Sequence, residues 1–479
     1  MKKENNKNNF NPFFNQPKEI LLNYESSSTL LPNIILKISK TLEKLHPFTP
    51  QNMILQVVIV KIVQILTCKR ITFNESSKKR LINWFALLLF ESGGGKDRLI
   101  DDVDEYLLAD FKDWFHKKMS DFQLDKKTKN NNIPLEFEDC TPAGIYTLAE
   151  NFNKFDIGNI FIKMPELGFY IKNANKNQLK FLSDLCKLSD CKIPRTLTKS
   201  NGFTEEITTI PINVLAYSDY KLFLSDIKDI FNSLMLSGLC RRFTISFQAQ
   251  KEWQCAIFTD EEETALREEL KSCGRELFSI FEKIEIGASY KLLPKAKILL
   301  NNYKKYIQNA YNKTNNILLK REIRDRILKA LKLSCIIACL NHPSEQIINE
   351  YDILPAIDTV ELLSKDFEHF INYNAECNDK DFIAFKFLEN HKDRGYSKTA
   401  LITELCRHCK YTRRGLVKYF DIKNPINFFT SINEIAKSKG YEFIADSNRY
   451  PNGVYYYLKK LDNFDNVPQI INLKVIDNA

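Results

Sequence analysis

The sequence has no long uninterrupted apolar run, no framework of paired cysteines and little glycine. The longest apolar stretch, residues 53–67, contains Gln and Lys and is shorter than the roughly 20 residues that cross a bilayer. The 12 cysteines are scattered, and several fall in apolar segments, where a reduced thiol behaves as a small buried side chain. No secretory leader is recognisable. We therefore expect a soluble, cytoplasmic (intracellular) protein with no membrane partner.

Clusters of metal-binding and nuclease type are also scarce. Cys406 and Cys409 alone form a C-x-x-C, with no second pair at zinc-ribbon spacing, so buried helix positions are favoured and zinc stays an open alternative. Residues 101–104 contain the one acidic group near a predicted sheet edge, and acids at a helix start favour the helix dipole. A nuclease or primase centre therefore has little support.

Three of the 14 glycines stand together, in the stretch 81–100, LINWFALLLFESGGGKDRLI. An apolar strand, a glycine turn and a helix in this order are typical of a phosphate-binding loop, in which backbone amides and a lysine bind phosphate oxygens. The expected cofactor-binding residues are Gly93, Gly94, Gly95, Lys96 and Asp97.

The loop departs from the usual pattern at two positions. Phe90 stands where the first glycine belongs, and Asp97 replaces the hydroxyl that holds Mg²⁺. Because Mg²⁺ needs only one or two protein carboxylates, we hypothesise that Asp97 is the metal ligand.

Further polar residues follow predicted strands. Residues 159–171 are expected to contain an apolar strand that ends in an acid, Glu166, preceded by Pro165, and residues 212–217 to form a strand followed by Ser218. Such residues lie at the carboxyl edge of a parallel sheet, where ligands bind. Arg241 and Arg242 start another strand, over residues 243–247, and are either surface charges or phosphoryl-stabilising arginines at a subunit edge.

The order of these motifs resembles a known family. The GGGK loop, a helix that starts "TP" and ends "AEN", a strand end "ELGF", and then "SGLCRRF" and a helical block are similar to the helicase-like P-loop ATPases of phages, plasmids and genomic islands. The resemblance covers about residues 70–363. It implies an α/β RecA/AAA+-like core with a helical lid, the cofactors ATP and Mg²⁺, and a homo-oligomer such as a hexameric ring, with a primase or polymerase partner.

The same resemblance implies roles for single residues. Lys96 would hold phosphate, Glu166 would be the catalytic acid, and Arg242, which a phenylalanine follows, would be the catalytic arginine. Pro165 stands where the family has a metal-binding aspartate, so Asp97 would supply what that position lost. Ser218 would sense the terminal phosphate.

The C-terminal part is basic and has its own pattern. Residues 381–460 hold 15 Lys and Arg against 8 Asp and Glu, an excess of seven positive charges. Three predicted helices, over residues 381–392, 397–409 and about 426–438, and a hairpin with a Pro-Asn-Gly turn indicate a winged helix. It either binds DNA or, as the alternative, binds protein. The expected DNA-binding residues are Lys410, Arg413, Arg414, Lys418 and Arg449.

The predicted organisation has six parts. They are a disordered tail (1–18), an N-terminal helical collar (19–69), a P-loop ATPase core (70–258), a helical lid (259–375), a winged-helix domain (376–465) and a C-terminal tail (466–479). We expect an ATP-dependent helicase-like motor or loader in the replication of a mobile element. The alternative is a non-hydrolysing DNA-binding initiator or scaffold with a vestigial nucleotide site.

Overall fold

The structure is a computed structural model that describes most of the chain between residues 31 and 460. The described residues are 31–75, 78–121, 134–138, 140–154, 156–193, 197–198, 202–203, 210–224, 226–249, 257–378, 380–391, 396–408, 432, 436–437, 441–446 and 455–460. The chain forms two compact units, Met1–Ile371 and Asn372–Ala479. Both expected tails lie outside the described residues.

The first unit mixes helices and strands and then becomes mainly helical. Its first elements are α1 Asn33–Leu45, α2 Gln51–Thr67, β1 Thr72–Glu75, β2 Lys78–Leu81, β3 Phe85–Leu89, α3 Lys96–Asp102, α4 Ala109–Asp121, α5 Pro142–Lys154, β4 Ile160–Met164, α6 Leu167–Asn173, α7 Lys176–Leu188, β5 Leu197–Thr198, β6 Gly202–Phe203, β7 Ile212–Ser218, α8 Tyr220–Leu224, α9 Lys228–Leu234, α10 Cys240–Arg242 and β8 Phe243–Phe247. The later ones are α11 Asp260–Lys283, β9 Ser289–Leu292, α12 Pro294–Lys313, α13 Ile317–Asn341, β10 Ile347–Ile348 and α14 Glu350–Asn378. π-Helical turns, Val103–Leu107 and Met235–Leu239, continue α3 and α9. The predicted α/β class is confirmed.

Four parallel strands form the central sheet, in the order β4-β7-β3-β8. In the register of β3, Leu89 lies opposite Ser218 of β7 and Phe247 of β8. A parallel bridge between Phe137 and Ile162 adds one residue beyond β4, where the sequence predicts a strand over 135–137. β3, β7 and β8 are buried along their whole length, as expected for parallel strands covered on both faces.

The strand that the sequence predicts over residues 159–171 is shorter in the structure. β4 ends at Met164, and α6 begins at Leu167. Apolar residues continue on the buried side of α6, and a short apolar run does not distinguish a strand from a helix. Glu166, the acid expected at the end of this strand, follows β4 and lies in the turn between β4 and α6.

α2 belongs to the core of the first unit. All of its residues from Met53 to Thr67 are buried, which is typical of a helix that is apolar all round. The Gln56 side chain donates to the backbone carbonyl oxygen of Thr244 in β8 at 3.0 Å. The expected collar therefore contributes its second helix to the interior. None of the described helices is long and apolar enough to cross a membrane.

A second sheet joins the N-terminal part of the unit to its later helices. The strand order is β10-β9-β1-β2, and β1 pairs in parallel with β9, with Thr72 opposite Ser289. At the other end of α2, Asn52 donates to Asp366 of α14 at 3.0 Å. The segments predicted as collar, core and lid thus share contacts within one compact unit.

The second unit contains helices and a small antiparallel sheet. Its elements are α15 Lys380–Asn390, β11 Tyr396–Ser397, α16 Lys398–His408, β12 Tyr441–Asp446 and β13 Tyr455–Lys460. The strand order is β11-β13-β12, and buried side chains such as Phe385, Leu401 and Leu458 form its core. β11 is a strand that the sequence analysis did not predict. The helix expected over 426–438 lies mostly outside the described residues.

Candidate functional site

The candidate site surrounds the glycine turn at the carboxyl end of β3. Gly93 and Gly95 have positive φ angles, 77° and 80°, which favour glycine. Lys96 is the first residue of α3. The first backbone N–H groups of a helix have no acceptor within it, so they are available to an anion in the turn.

Phe90 forms the floor of this turn. Its ring is fully buried, and its centroid lies 5.4 Å from that of Phe48. A Cβ on Gly94 would lie 2.3 Å from the Phe90 ring, so only glycine lets the chain pass over it. Thr49 Oγ1 donates to the carbonyl oxygen of Gly94 at 3.4 Å. The residue that departs from the usual pattern therefore has a packing role, and the segment between α1 and α2, which the sequence did not implicate, supports the turn.

The Lys96 side chain folds back into the turn. It is only 2% exposed, and Nζ donates to the carbonyl oxygens of Glu91 at 3.1 Å and Phe90 at 3.4 Å. Both acceptors are neutral and belong to the turn itself. The ammonium group is thus held beside the backbone donors at the start of α3.

Asp97 is exposed and lies next to a buried tyrosine. The Tyr217 hydroxyl group lies close enough to Asp97 to interact with its carboxylate. Burial first, and then the charges of Asp97, Glu138 and Asp101, raise the pKa of the Tyr217 phenol above its usual value. The phenol therefore stays protonated beside these acids. The apolar strand pattern of β7 did not reveal this neighbour of the proposed metal ligand.

Ser218 connects the end of β7 to both neighbouring strands. Its backbone carbonyl oxygen accepts from Phe90 N at 3.2 Å, and its Oγ accepts from Gly168 N in α6 at 2.9 Å. The next residue, Asp219, accepts from Ser92 N in the glycine turn at 3.2 Å. Ser218 is fully buried, so it fixes the spacing between the turn and α6.

Glu166 has an uncommon backbone conformation. Its φ angle is 49°, in the left-handed region that non-glycine residues rarely adopt. It precedes α6, and its carbonyl oxygen accepts from the N–H groups of Phe169 and Tyr170. The side chain is exposed at the carboxyl end of β4. Strained residues of this kind concentrate at functional sites.

The three strands that carry these residues are neighbours in the sheet. Lys96 follows β3, Ser218 ends β7, and Glu166 follows β4, and all three strands are parallel. Their carboxyl ends share one edge, which is the ligand-binding edge of open α/β sheets. The structure therefore brings these predicted residues to the same edge.

Ion pairs connect α3 to its surroundings. Asp102 lies 3.0 Å from His46 and 3.5 Å from Arg267 of α11. Asp104 pairs with Lys61, which is fully buried in α2. Asp101 lies 4.0 Å from Lys163 of β4. The helix-dipole interpretation of residues 101–104 is therefore incomplete, because all three acids pair with cations from other elements. α11 also touches the π-helical turn closely, since a Cβ on Gly274 would lie 2.4 Å from the Leu107 carbonyl oxygen.

The two arginines lie at the opposite edge of the sheet. Both precede β8, whose first residue pairs with Phe85, the first residue of β3. Arg241 donates to Asp325 at 2.9 and 3.0 Å. Arg242 donates to Ser189, to Gly238 and, at 3.4 Å, to Asp190. Neither arginine lies at the edge that holds Lys96 of the same chain.

Other predicted residues are not placed by the structure. Lys410, Arg413, Arg414, Lys418 and Arg449 lie outside the described residues, as does Cys409. Within the described part of the chain, no group of three or more His, Cys, Asp or Glu side chains is arranged to hold a metal ion. Mg²⁺ bound through phosphates needs fewer protein ligands than that.

Comparisons with known proteins add no relative. The chain matches no protein-family model. It also matches no curated protein. The function of the chain is therefore inferred from its residues and their geometry.

Proposed function

We propose that the chain is an ATP-dependent, helicase-like motor or loader for the replication of a phage, plasmid or other mobile element, built on a P-loop core of RecA/AAA+ type. The observation that carries this proposal is the position of three side chains. They lie at the carboxyl edge of adjacent parallel strands and belong to Lys96 of the glycine turn, the exposed Glu166 and the buried Ser218. This is the edge at which P-loop proteins bind nucleotides.

The residues of the turn fit a nucleoside triphosphate with Mg²⁺. The positive φ angles of Gly93 and Gly95 and the absence of a side chain at 94 leave a backbone cradle. Lys96 would neutralise phosphate oxygens, and Asp97, which lies near Tyr217, would hold the metal. When bound, Mg²⁺ neutralises charge on the phosphates.

The remaining roles belong to groups outside the turn. Glu166 would position and deprotonate the attacking water. Ser218 would report the state of the terminal phosphate to α6 through the bond to Gly168, since a change at its hydroxyl alters that bond. These roles are those that P-loop enzymes require of the carboxyl edge.

Arg242 can serve only a neighbouring copy in this scheme. It lies at the amino edge of the sheet, whereas Lys96 follows the carboxyl end of β3. β3 contains five residues, which span roughly 13 Å at about 3.3 Å per residue. An arginine that stabilises the transferring phosphoryl group would therefore come from a second subunit, which supports a homo-oligomer.

We further propose that the second unit is a winged helix that contacts DNA. Its described order is helix, strand, helix and then a hairpin, and the first strand joins the hairpin in one sheet. The sequence places its basic excess in this part of the chain. Phosphate contacts by Lys and Arg would give the unit affinity for DNA.

ATP turnover by the full chain tests the proposal. Turnover is measured with Mg²⁺ and single-stranded DNA for the parent, Lys96→Ala and Glu166→Gln. Exposed Lys117→Ala and Glu261→Gln serve as matched controls. We expect both site variants to lose roughly 100-fold or more of the turnover, equivalent to about 2.7 kcal/mol, while the controls stay at the parent rate. Equal turnover in all five proteins would reject the motor.

A non-hydrolysing initiator or scaffold is the second candidate, and one observation favours it. Lys96 and the turn are bonded to Glu91, Phe90 and Thr49 of the same chain, so a packing role alone would account for the loop. In that case, the chain would bind DNA with no ATP turnover above the Lys96→Ala variant. DNA binding measured alongside turnover separates the two functions.

A further inference from the structure

A polar cleft opens at the amino edge of the central sheet, away from the glycine turn. Its volume, including the open mouth, is about 390 Å³. Trp84 and Asn83, which precede β3, form part of its wall, and α13 forms the facing part. Of the roles proposed above, only that of Arg242 towards a second copy involves a residue of this cleft.

Cationic side chains outnumber acidic ones in this wall. The cations are Arg241, Arg242, Lys329 and Lys332, and the acids are Asp190 and Asp325. Lys329 forms an ion pair with the buried Glu322, with 3.1 Å between Nζ and Oε1. The other three cations face only two carboxylates within the wall.

Within the described residues, the two arginines are incompletely or weakly paired with the acids of the wall. Arg241 directs Nε and Nη2 to a single oxygen of Asp325, which leaves three of its five N–H groups outside that pair. Arg242 reaches Asp190 at 3.4 Å, a long distance for a charge-assisted bond. An oxyanion with several acceptor oxygens would bond to these donors better than the two carboxylates do.

Two more donors of the wall are poorly satisfied. Trp84 is 3% exposed, and within the described residues its indole Nε1–H has no hydrogen-bond partner. Lys332 donates to Asn83 Oδ1, and burial lowers the pKa of its ammonium group. A nearby anion favours the charged form of a buried lysine and supplies acceptors to unpaired donors.

We propose that this cleft binds a phosphate-type oxyanion, with Arg241, Arg242 and Lys332 as its cationic ligands and Trp84 beside them. The phosphate belongs to a small phosphate or pyrophosphate compound in solution. The terminal phosphate of a nucleotide held by a second copy, which is the role already proposed for Arg242, is the second source that the experiment separates from it. Only the second source rests on the function proposed above. The cleft itself is complete within one chain.

Trp84 provides a direct probe of the cleft. The chain has three tryptophans, so the full protein labelled with 5-fluorotryptophan gives few ¹⁹F signals, and Trp84→Phe assigns the one from the cleft. Inorganic phosphate and pyrophosphate are titrated at constant ionic strength against chloride. We expect a saturable shift of the Trp84 signal. Trp114, which packs against Phe111 and Phe281, serves as the internal reference.

Variants at one position separate binding from general damage. Lys332→Met removes a charge-assisted bond and should raise the phosphate concentration at half-saturation at least about tenfold. Lys332→Arg should restore most of the affinity. Lys313→Met, at the exposed end of α12, should match the parent. Far-ultraviolet circular dichroism establishes that each variant is folded.

Lys96→Ala distinguishes the two sources. An unchanged response to phosphate in that variant assigns the ligand to solution. A response to ATP alone, present only in the assembled protein and lost in Lys96→Ala, assigns it to the second copy. If the Trp84 signal of the folded protein responds to none of phosphate, pyrophosphate and ATP, or responds equally to chloride, the proposal is overturned. A response that persists in a chain without ATP turnover supports the cleft and rejects only the motor.

Discussion

The hydroxyl oxygen of Ser218 accepts a hydrogen bond of 2.9 Å from the backbone N–H of Gly168. This bond connects the end of β7 to the first turn of α6, directly after Glu166. A Cβ on Gly168 would lie 2.7 Å from the same oxygen and 2.9 Å from Leu222. The position of Glu166 therefore depends on a glycine two residues later.

Gly168→Ala should displace α6 and Glu166 from the end of β7. We expect a loss of about 1–3 kcal/mol in the free energy of unfolding from overpacking. ATP turnover should fall on the order of 100-fold, because misplacement of a catalytic group by about 1 Å has that effect. Ser218→Ala and the double variant complete a cycle in which the two changes should be non-additive. Parent-level turnover in folded Gly168→Ala would contradict this arrangement.

Phe90→Gly restores the glycine of the usual P-loop but should damage this one. The substitution removes the floor on which Gly94 lies and the contact with Phe48. We expect a loss of about 3–5 kcal/mol or more, as for other buried phenylalanines, and weaker binding of a fluorescent ATP analogue. Phe169→Ala, at a side chain that is 60% exposed, is the matched control. Tighter nucleotide binding by Phe90→Gly would show that the aromatic floor is a defect.

Asp366 should make the first unit less stable as the pH rises towards neutrality. Burial raises its pKa to about 7, although bonds from Asn52 and from the backbone N–H of Phe247 lower it. Because the native carboxyl group holds its proton above the unfolded value near 4, the native state binds more protons between about pH 4 and pH 7. Stability from this group is therefore fully present at low pH and lost across that window.

Asp366→Asn removes the titrating group and keeps its shape. We expect the variant to be more stable than the parent at pH 8, by roughly 2–4 kcal/mol if the side-chain amide bonds well, with little gain at pH 4. Calorimetric unfolding between these pH values measures the difference. The exposed Asp113→Asn should follow the parent curve. An equal effect of Asp366→Asn at both pH values would exclude a raised pKa.

DNA binding by the full chain should weaken steeply with salt. Each phosphate contact contributes about −0.9 to the slope of log K against log salt on duplex DNA. Replacing Arg413 and Arg414 by Gln should therefore make the slope about two units shallower. Lys305→Gln, on the exposed face of α12, should leave it unchanged. Affinity that does not vary between low and physiological salt would favour a protein partner for the second unit.

The sequence predicts elements whose pattern is local. The continuous apolar runs of β3, β7 and β8 and the glycine turn before Lys96 were identified from their own residues. The expected strand over 159–171 was too long, because α6 continues the apolar run of β4. Periodicity over so few residues does not determine whether the chain turns into a helix.

Features that depend on distant residues could not be predicted in this way. Phe90, which departs from the P-loop pattern, packs against Phe48 in the connection between α1 and α2. Arg241 forms an ion pair with Asp325, which lies 84 residues later in the chain. The apolar pattern of β7 does not show that Tyr217 lies near Asp97 of α3. Each of these relationships comes from the tertiary fold.

The burial of α2 has a consequence for the order in which the chain folds. Its contacts include Thr244 of β8, almost 190 residues later, and Asn52 at its start bonds to Asp366, 314 residues later. Contacts of such high sequence separation form slowly, because the intervening chain must first be closed. During synthesis, this apolar helix is therefore made long before β8 and α14, and its apolar surface favours aggregation of the nascent chain until they are present.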